Sequence, residues 1–115
     1  MLLSNGYKVN PVHMEIRLQA HSLLKGNLIF GDGHTCCGLL FEPKDNGTRG
    51  EELVEKVWCA VAEANASVPE HARVSRDMVL VADSGKPFVR AAKGTVVRKL
   101  TLGLYQSEID KAYHK

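Results

Sequence analysis

The chain of 115 residues is long enough for one compact domain and too short for two domains with separate hydrophobic cores. Its 15 basic and 13 acidic side chains give a net charge of +2, which excludes the strong basic excess of a dedicated nucleic-acid-binding protein. Apolar runs are short and the N-terminal residues lack a signal-peptide pattern, so we expect no membrane span and a cytoplasmic location. Three cysteines, two of them adjacent, cannot form a disulfide framework and are expected to be reduced.

The N-terminal part of the chain predicts a short strand-like piece and then a helix. A turn signal at residues 4–6 precedes the strand-like piece. Asn10 and Pro11 form an N-cap and first-turn pair that opens a helix ending at residues 18–21. The apolar stripe expected to be buried on this helix consists of Val12, Ile16 and Ala20.

A β-hairpin and a second helix follow. Residues 26–30 and 36–41 are predicted to form antiparallel strands joined by a tight turn at 31–33. Thr48 lies three residues before Glu51, which is the spacing of a capping box and predicts a helix start. The apolar face of this helix, whose tryptophan is expected to anchor the core, consists of Leu53, Val54, Val57, Trp58 and Val61.

The C-terminal part predicts a strand and a closing helix. Residues 78–82 are apolar enough for a central strand that is covered on both faces. A closing helix is expected from about Thr95, with Gly103 as its weak point. The element order predicts a single α+β domain over residues 1–115, with a small, mostly antiparallel sheet flanked by about three helices.

Several common catalytic and cofactor motifs do not match. The glycines at 31–33 lack the third glycine of a dinucleotide fingerprint and precede a strand, and no phosphate-binding loop motif occurs. Adjacent Cys36 and Cys37 point to opposite faces of a strand, and with His34 and His21 they lack the ligand spacing of a zinc site, so we expect no metal centre. Paired carboxylates lie on predicted helix faces, where solvation explains them.

The segment 86–99 is different because its charges are all positive. It contains Lys86, Arg90, Lys93, Arg98 and Lys99, and no acidic residue occurs between positions 85 and 106. A lysine beside a glycine, in a loop ahead of a helix, suits an anionic ligand, since the backbone can approach closely and the helix N-terminus offers free N–H groups. A solvated basic loop is the competing interpretation, and composition alone favours it.

Three motifs in chain order carry a family resemblance. Residues 86–99 have the sequence KPFVRAAKGTVVRK, which resembles the last core motif of adenylate-forming enzymes in its fungal form, KPFPRTxKGTVxR. Residues 3–15, LSNGYKVNPVHME, resemble the family's LSNGEKVNPVPxE segment after the interdomain hinge. Residues 31–43 resemble its GxGxxxxxLLIEP segment. The chain is thus similar to the C-terminal adenylation subdomain of fungal nonribosomal-peptide-synthetase-like enzymes of the carboxylic acid reductase type.

This resemblance implies a mobile lid that closes over a large N-terminal portion, which holds Mg-bound ATP and a small carboxylic acid. The catalytic lysine of the family corresponds to Lys93, with Gly94, Thr95 and Arg98 on the nucleotide side. The lysine stabilises the charge that develops as the carboxylate attacks the α-phosphorus. The resemblance further implies that the lid acts only together with the large portion, so this chain alone is expected to be inactive and to bind no cofactor.

The same resemblance implies a second step, in which the lid rotates. Ser4, Asn5, Gly6 and Lys8 then face the cleft and help to admit the phosphopantetheine thiol of a carrier domain, which yields a thioester. The expected partners are the large adenylation portion and the carrier domain of the same polypeptide, with neither nucleic acid nor membrane.

Four positions depart from the family pattern or compete with it. Val89 stands at a usual proline, Ala91 at a usual threonine and Tyr7 at a usual glutamate. Lys86 ends an SGK triplet that mimics the bacterial form of the motif, but proline and phenylalanine follow it, so Lys93 is preferred. The alternative function is a free-standing, non-catalytic binding module that uses the basic loop 86–99.

Overall fold

A computed structural model describes residues 2–4, 6–44, 50–83 and 85–114 of the chain. Four helices, three strands and one short 3₁₀ turn are found within these ranges. In chain order they are α1 (Pro11–Gln19), β1 (Leu24–Phe30), β2 (Cys37–Pro43), α2 (Gly50–Ala66), the 3₁₀ turn (Glu70–Ala72), β3 (Val74–Val81), α3 (Arg98–Leu104) and α4 (Gln106–Tyr113). No helix of the described ranges combines the length and the apolar character needed to cross a membrane.

The sheet has the strand order β1-β2-β3. β1 and β2 form the predicted antiparallel hairpin, and all seven residues of β2 are buried. β3 returns after α2 and pairs with β2 in parallel, because a helical crossover brings the second strand back in the same direction. The α+β class is confirmed, but an antiparallel arrangement holds only for β1 and β2. The prediction that residues 78–82 form the central strand is wrong, since β2 is central and β3 lies at the edge.

Helix α1 starts as predicted and turns a different face inward. The Oδ1 atom of Asn10 accepts a hydrogen bond from the amide of Val12 at 3.1 Å. The expected buried stripe is wrong: Val12 and Ile16 are 48% and 66% exposed, Ala20 is exposed, and the buried residues are Met14 and Leu18. The reason is the carboxylate of Glu15, which turns toward β1 and accepts the amide of Ile29 at 2.7 Å. That contact orients the helix so that the neighbouring face packs on the sheet.

Helix α2 covers one face of the sheet with the predicted apolar stripe. Leu53, Val54, Val57 and Val61 are buried, and Ala64 extends the stripe. The capping residue Thr48 lies outside the described residues. Trp58 is not the core anchor that the sequence predicts: it is half-buried at the rim of the core, where the guanidinium of Arg76 lies 5.9 Å from its ring centroid.

The closing helical region is broken into α3 and α4. The break falls at Tyr105, two residues beyond the predicted weak point, and α3 begins at Arg98 instead of Thr95. Tyr105 is 2% exposed, its hydroxyl oxygen accepts the amide of Asp83 at 3.0 Å, and the hydroxyl donates to the carbonyl of Lys86. The break therefore allows one buried aromatic ring to hold the loop that follows β3.

The free thiols differ in exposure, and the difference predicts alkaline destabilisation. Cys37 is fully buried, Cys36 half-buried and Cys59 exposed. Burial, with a smaller contribution from Cys36, raises the pKa of the Cys37 thiol from 9.0 to about 11. Between these two pH values the unfolded chain loses a proton that the folded chain keeps, so stability falls as pH rises, by about 2 kcal/mol at pH 11.

Urea unfolding followed by circular dichroism between pH 8 and pH 11 measures this loss. We expect Cys37→Ala, although less stable at pH 8, to show a shallower decline with pH, because the buried thiol no longer contributes. A decline that is equally steep in Cys37→Ala would contradict the assignment to this thiol.

Candidate functional site

Lys93 lies at the tip of a small β-hairpin. Arg90 and Val96 form an antiparallel bridge, and the amide of Ala91 donates to the carbonyl of Thr95 at 2.9 Å. The amide of Gly94 donates back to the carbonyl of Ala91 at 2.8 Å, and its φ of +87° is the left-handed value that a three-residue hairpin loop requires. A side chain at position 94 would meet open space, so the glycine serves the turn and not a close backbone approach. We call residues 88–97 the lysine hairpin.

The base of the lysine hairpin is anchored to the sheet and to α3. The buried carboxylate of Glu42 accepts the amide of Phe88 at 2.9 Å and pairs with the guanidinium of Arg90. The amide of Val89 donates to the Oγ1 atom of Thr101 at 3.0 Å, and Thr101 is fully buried. The tip residues 91–95 are exposed. The hairpin therefore presents a solvated lysine on a fixed support.

The two candidate lysines lie in different surroundings. The Nζ atom of Lys86 donates to the carbonyl of Leu104 and to the carboxylate of Glu108, each at 3.1 Å, and it lies 4.4 Å from the ring centroid of Tyr105. Within the described ranges Lys93 makes no ion pair. The internal contacts of Lys86 explain it as a structural residue, whereas Lys93 is available for an external anion.

Arg98 lies apart from the exposed tip. Its Nη1 atom donates to the carbonyl of Ile29 at 2.9 Å, and its Nη2 atom pairs with the carboxylate of Glu15. These contacts connect α3 with β1 and α1. The half-buried guanidinium also borders an open cleft of about 860 Å³, whose other charged walls are Lys8 and Asp32. The three residues predicted on the nucleotide side thus fall into two groups, with Gly94 and Thr95 at the tip and Arg98 at this cleft.

Residues 2–4 and 6–8 belong to a short segment, here called the strap, beside the turn of the β1–β2 hairpin. Leu2 and Lys8 form an antiparallel bridge, and the amide of Ser4 donates to the carbonyl of His34 at 2.9 Å. Gly6 takes a left-handed φ of +91°. The ring of Tyr7 stacks on His71 with 4.3 Å between the centroids, so the residue that replaces the usual glutamate ties the strap to the 3₁₀ turn. Asn5 lies outside the described residues.

The strap and the lysine hairpin are anchored at opposite ends of the β1–β2 pair. The lysine hairpin is held at Glu42, which pairs with Gly26 near the start of β1. The strap is held at the turn beyond Phe30, where the amide of Gly33 donates to the carbonyl of Leu2 at 2.9 Å. Four residues of extended strand separate the two anchor points, which amounts to roughly 13 Å. The tip residues Lys93, Gly94 and Thr95 therefore lie apart from the strap, whereas Arg98 shares the 860 Å³ cleft with Lys8 of the strap.

The candidate metal ligands of the sequence are engaged elsewhere. His34 stacks on Tyr113 with centroids 3.9 Å apart, and the hydroxyl of Tyr113 donates to the carbonyl of Cys36 at 2.5 Å. Burial raises the pKa of the Tyr113 hydroxyl above its ordinary value, so this donor stays protonated. In the part of the chain that the structure describes, no group of three or more His, Cys, Asp or Glu side chains could hold a metal ion.

The buried carboxylate of Glu42 is not among the residues predicted from the sequence. The available signal was a single acidic residue directly after the apolar residues 39–41 of a strand, since a carboxylate is rarely buried without a partner. Its partner Arg90 lies 48 positions away in the basic segment. No local pattern connects the two residues.

The structure is a small α+β domain that presents an exposed lysine at the tip of a hairpin. The model of the family described as AMP-binding enzyme C-terminal domain matches residues 1–115, so the chain belongs to this family. A carboxylic acid reductase of Neurospora crassa is 34% identical over 98% of the chain, and an adenylate-forming reductase of Serpula lacrymans is 32% identical over 98%. The chain spans 11% of the length of each of these relatives.

A solved structure supports the fold. The A domain of carboxylic acid reductase from Segniliparus rugosus, in complex with AMP and a co-purified carboxylic acid, superposes with a TM-score of 0.75 at 15% identity. The match covers 99% of this chain and 19% of that one. The chain thus belongs to the AMP-binding enzyme C-terminal domain family and is similar to fungal carboxylic acid and adenylate-forming reductases over nearly its whole length, as the sequence motifs predicted.

Proposed function

We propose that residues 1–115 are the mobile lid of an ATP-dependent enzyme that activates a carboxylic acid as its acyl-adenylate, within a protein of the carboxylic acid reductase type. The observation that carries the proposal is the exposed Lys93 on a hairpin whose base is buried and hydrogen-bonded. This lysine contributes little to the stability of the fold, because it pairs with no carboxylate among the described residues. Its ammonium is therefore available to bind an anion that comes from outside the domain.

In this proposal the ammonium of Lys93 meets the charge of the adenylation transition state. Negative charge develops on the attacking carboxylate, the α-phosphoryl oxygens and the leaving pyrophosphate of Mg-bound ATP. Gly94 and Thr95 lie beside the lysine and would contact the nucleotide with it. Arg98 would act from the cleft, where its position is set by Glu15.

The strap would serve a second half-reaction, in which the phosphopantetheine thiol of a carrier domain attacks the acyl-adenylate, takes the acyl group as a thioester and releases AMP. Ser4, Asn5, Gly6 and Lys8 are the residues proposed to face the cleft in that state. The anchoring of strap and lysine hairpin at opposite ends of β1–β2 supports this division. Their anchor points are roughly 13 Å apart along the sheet. A rotation of the whole domain would therefore bring first Lys93 and then the strap to the same cleft of the large portion.

ATP–pyrophosphate exchange tests the proposal. The full-length protein containing this chain is assayed with Mg-ATP and a panel of aryl and aliphatic carboxylic acids, and the 115-residue chain is assayed beside it. We expect exchange with at least one acid in the full-length protein and none with the chain alone, because the chain lacks a phosphate-binding loop motif. Exchange by the chain alone, or no exchange with any acid by the folded full-length protein, would overturn it.

A further inference from the structure

The buried carboxylate of Glu42 and its contacts lie outside the mechanism outlined above. Glu42 is 5% exposed at the end of the central strand β2. Its Oε2 atom accepts the amide of Phe88, and its Oε1 atom pairs with the guanidinium of Arg90, whose side chain is 23% exposed. The two carboxylate oxygens thus hold Phe88 and Arg90, the residues on either side of Val89 in the lysine hairpin.

We propose that Glu42 is a positioning residue for adenylation, which fixes the direction of the lysine hairpin and thereby the place of the Lys93 ammonium. The proposal rests on the proposed function of Lys93. Val89 and Val97 tie the base of the hairpin to α3. The contacts of Glu42 with Phe88 and Arg90 tie the same strand to the sheet, so that its direction is fixed from two sides. A displacement of about 1 Å at a reacting centre can cost 10²-fold in rate, so this direction has catalytic consequences.

The hydrogen bonds of the hairpin tip support this role. Within the described ranges, the backbone hydrogen bonds of residues 91–95 stay inside the hairpin. The hairpin's hydrogen bonds to the rest of the domain are made at its base, by Phe88, Val89, Arg90 and Val97. The contacts at the base therefore determine the orientation of the tip. Among them, the ion pair between Arg90 and Glu42 is the charged contact nearest to the tip.

The space around this contact is an independent observation. A Cβ atom placed on Gly26 would lie 3.0 Å from Arg90 Nη2, 3.1 Å from the ring of Phe88 and 3.2 Å from Glu42 Oε1. Gly26 has no left-handed backbone that would require glycine. The missing side chain at this position makes room for the carboxylate, the guanidinium and the ring together, so β1 contributes to the same arrangement.

Glu42→Gln in the full-length protein separates positioning from folding. The amide oxygen can still accept the Phe88 amide, but the charge that holds Arg90 is lost. We expect adenylation kcat to fall 10- to 100-fold with little change in the KM for ATP, while thioester transfer from a supplied acyl-adenylate is retained. Glu55→Gln is the matched control, since it breaks an exposed pair with Arg76 on α2 and β3, and it should leave both half-reactions unchanged. Equal loss of both half-reactions in Glu42→Gln would overturn the proposal.

A double variant tests whether Glu42 acts through the lysine. If it does, Glu42→Gln added to Lys93→Ala causes no further loss of adenylation, because the group being positioned is already absent. A further loss as large as that of the single variant would overturn the proposal. Gly26→Ala provides a second route if Glu42→Gln folds poorly, and it should reduce adenylation selectively by displacing Arg90.

Amide hydrogen exchange distinguishes failure of this inference from failure of the proposed function. In Glu42→Gln, or in Gly26→Ala if the former does not fold, we expect the Ala91 and Gly94 amides to exchange at least tenfold faster, while the sheet amides of Leu39 and Leu40 are unchanged. If Lys93→Ala leaves adenylation intact, the proposed function fails even where the exchange result holds. Unchanged exchange at the hairpin would overturn the positioning role whatever the lysine does.

Discussion

Lys93→Ala in the full-length protein is expected to lower adenylation turnover by about 10²–10³-fold and to leave ATP affinity and folding almost unchanged. The lysine would meet charge that develops only in the transition state, so its loss falls on kcat and not on ground-state binding. Because the side chain is exposed and unpaired among the described residues, its removal should change stability by no more than about 0.5 kcal/mol. Pyrophosphate exchange, ATP titration and thermal unfolding measure the three quantities.

Lys86→Ala is the matched control for this prediction. Its ammonium is engaged by Leu104 and Glu108, so we expect a modest effect on stability and a mild effect on adenylation. Thioester transfer from a supplied acyl-adenylate should survive in Lys93→Ala, since that step is assigned to the strap. If Lys86→Ala is inactive and Lys93→Ala is mild, the motif has been aligned seven positions out of register.

Phe41→Ala is expected to destabilise the domain by about 3–5 kcal/mol, a large part of the stability of a domain of this size. Phe41 is fully buried in the central strand, where it is paired with Asn27 of β1 and Val81 of β3. Truncation removes a ring from a position that is enclosed on both sides, and neither neighbouring strand can collapse into the cavity. Urea unfolding of the chain, followed by far-UV circular dichroism, gives the free energy.

Trp58→Ala provides the comparison for this measurement. The indole is half-buried at the rim, so we expect a smaller cost of about 1–2 kcal/mol, although tryptophan is the larger side chain. The native fluorescence of Trp58 should accordingly be partly accessible to an aqueous quencher. A greater loss of stability in Trp58→Ala than in Phe41→Ala would place the centre of the core at α2 instead of β2.

The candidate site was predictable from the sequence only in part. The KGT triplet was predicted as a site because its residue types and their order match a motif, and the left-handed Gly94 agrees with the turn that such a triplet forms. The sequence favoured Lys93 over Lys86 only by motif similarity. The structure adds a physical reason, because the ammonium of Lys86 is paired with Glu108. The expected helix N-terminus beside the lysine was wrong, since α3 begins five residues beyond Lys93 and a hairpin tip takes its place.

Local signals in the sequence by themselves determined the start of α1 at Asn10 and Pro11, the β1–β2 hairpin and the apolar stripe of α2. Each depends on residues within a few positions of one another, where periodicity and capping act. Tertiary structure alone decided which face of α1 is buried, that β3 lies at the edge, and that Glu42 supports the lysine hairpin. Those outcomes depend on contacts between residues 14 to 48 positions apart, such as Glu15 with Ile29 and Glu42 with Arg90. A buried carboxylate must find its hydrogen-bond donors in three dimensions, and no local pattern of the chain specifies where those donors will be.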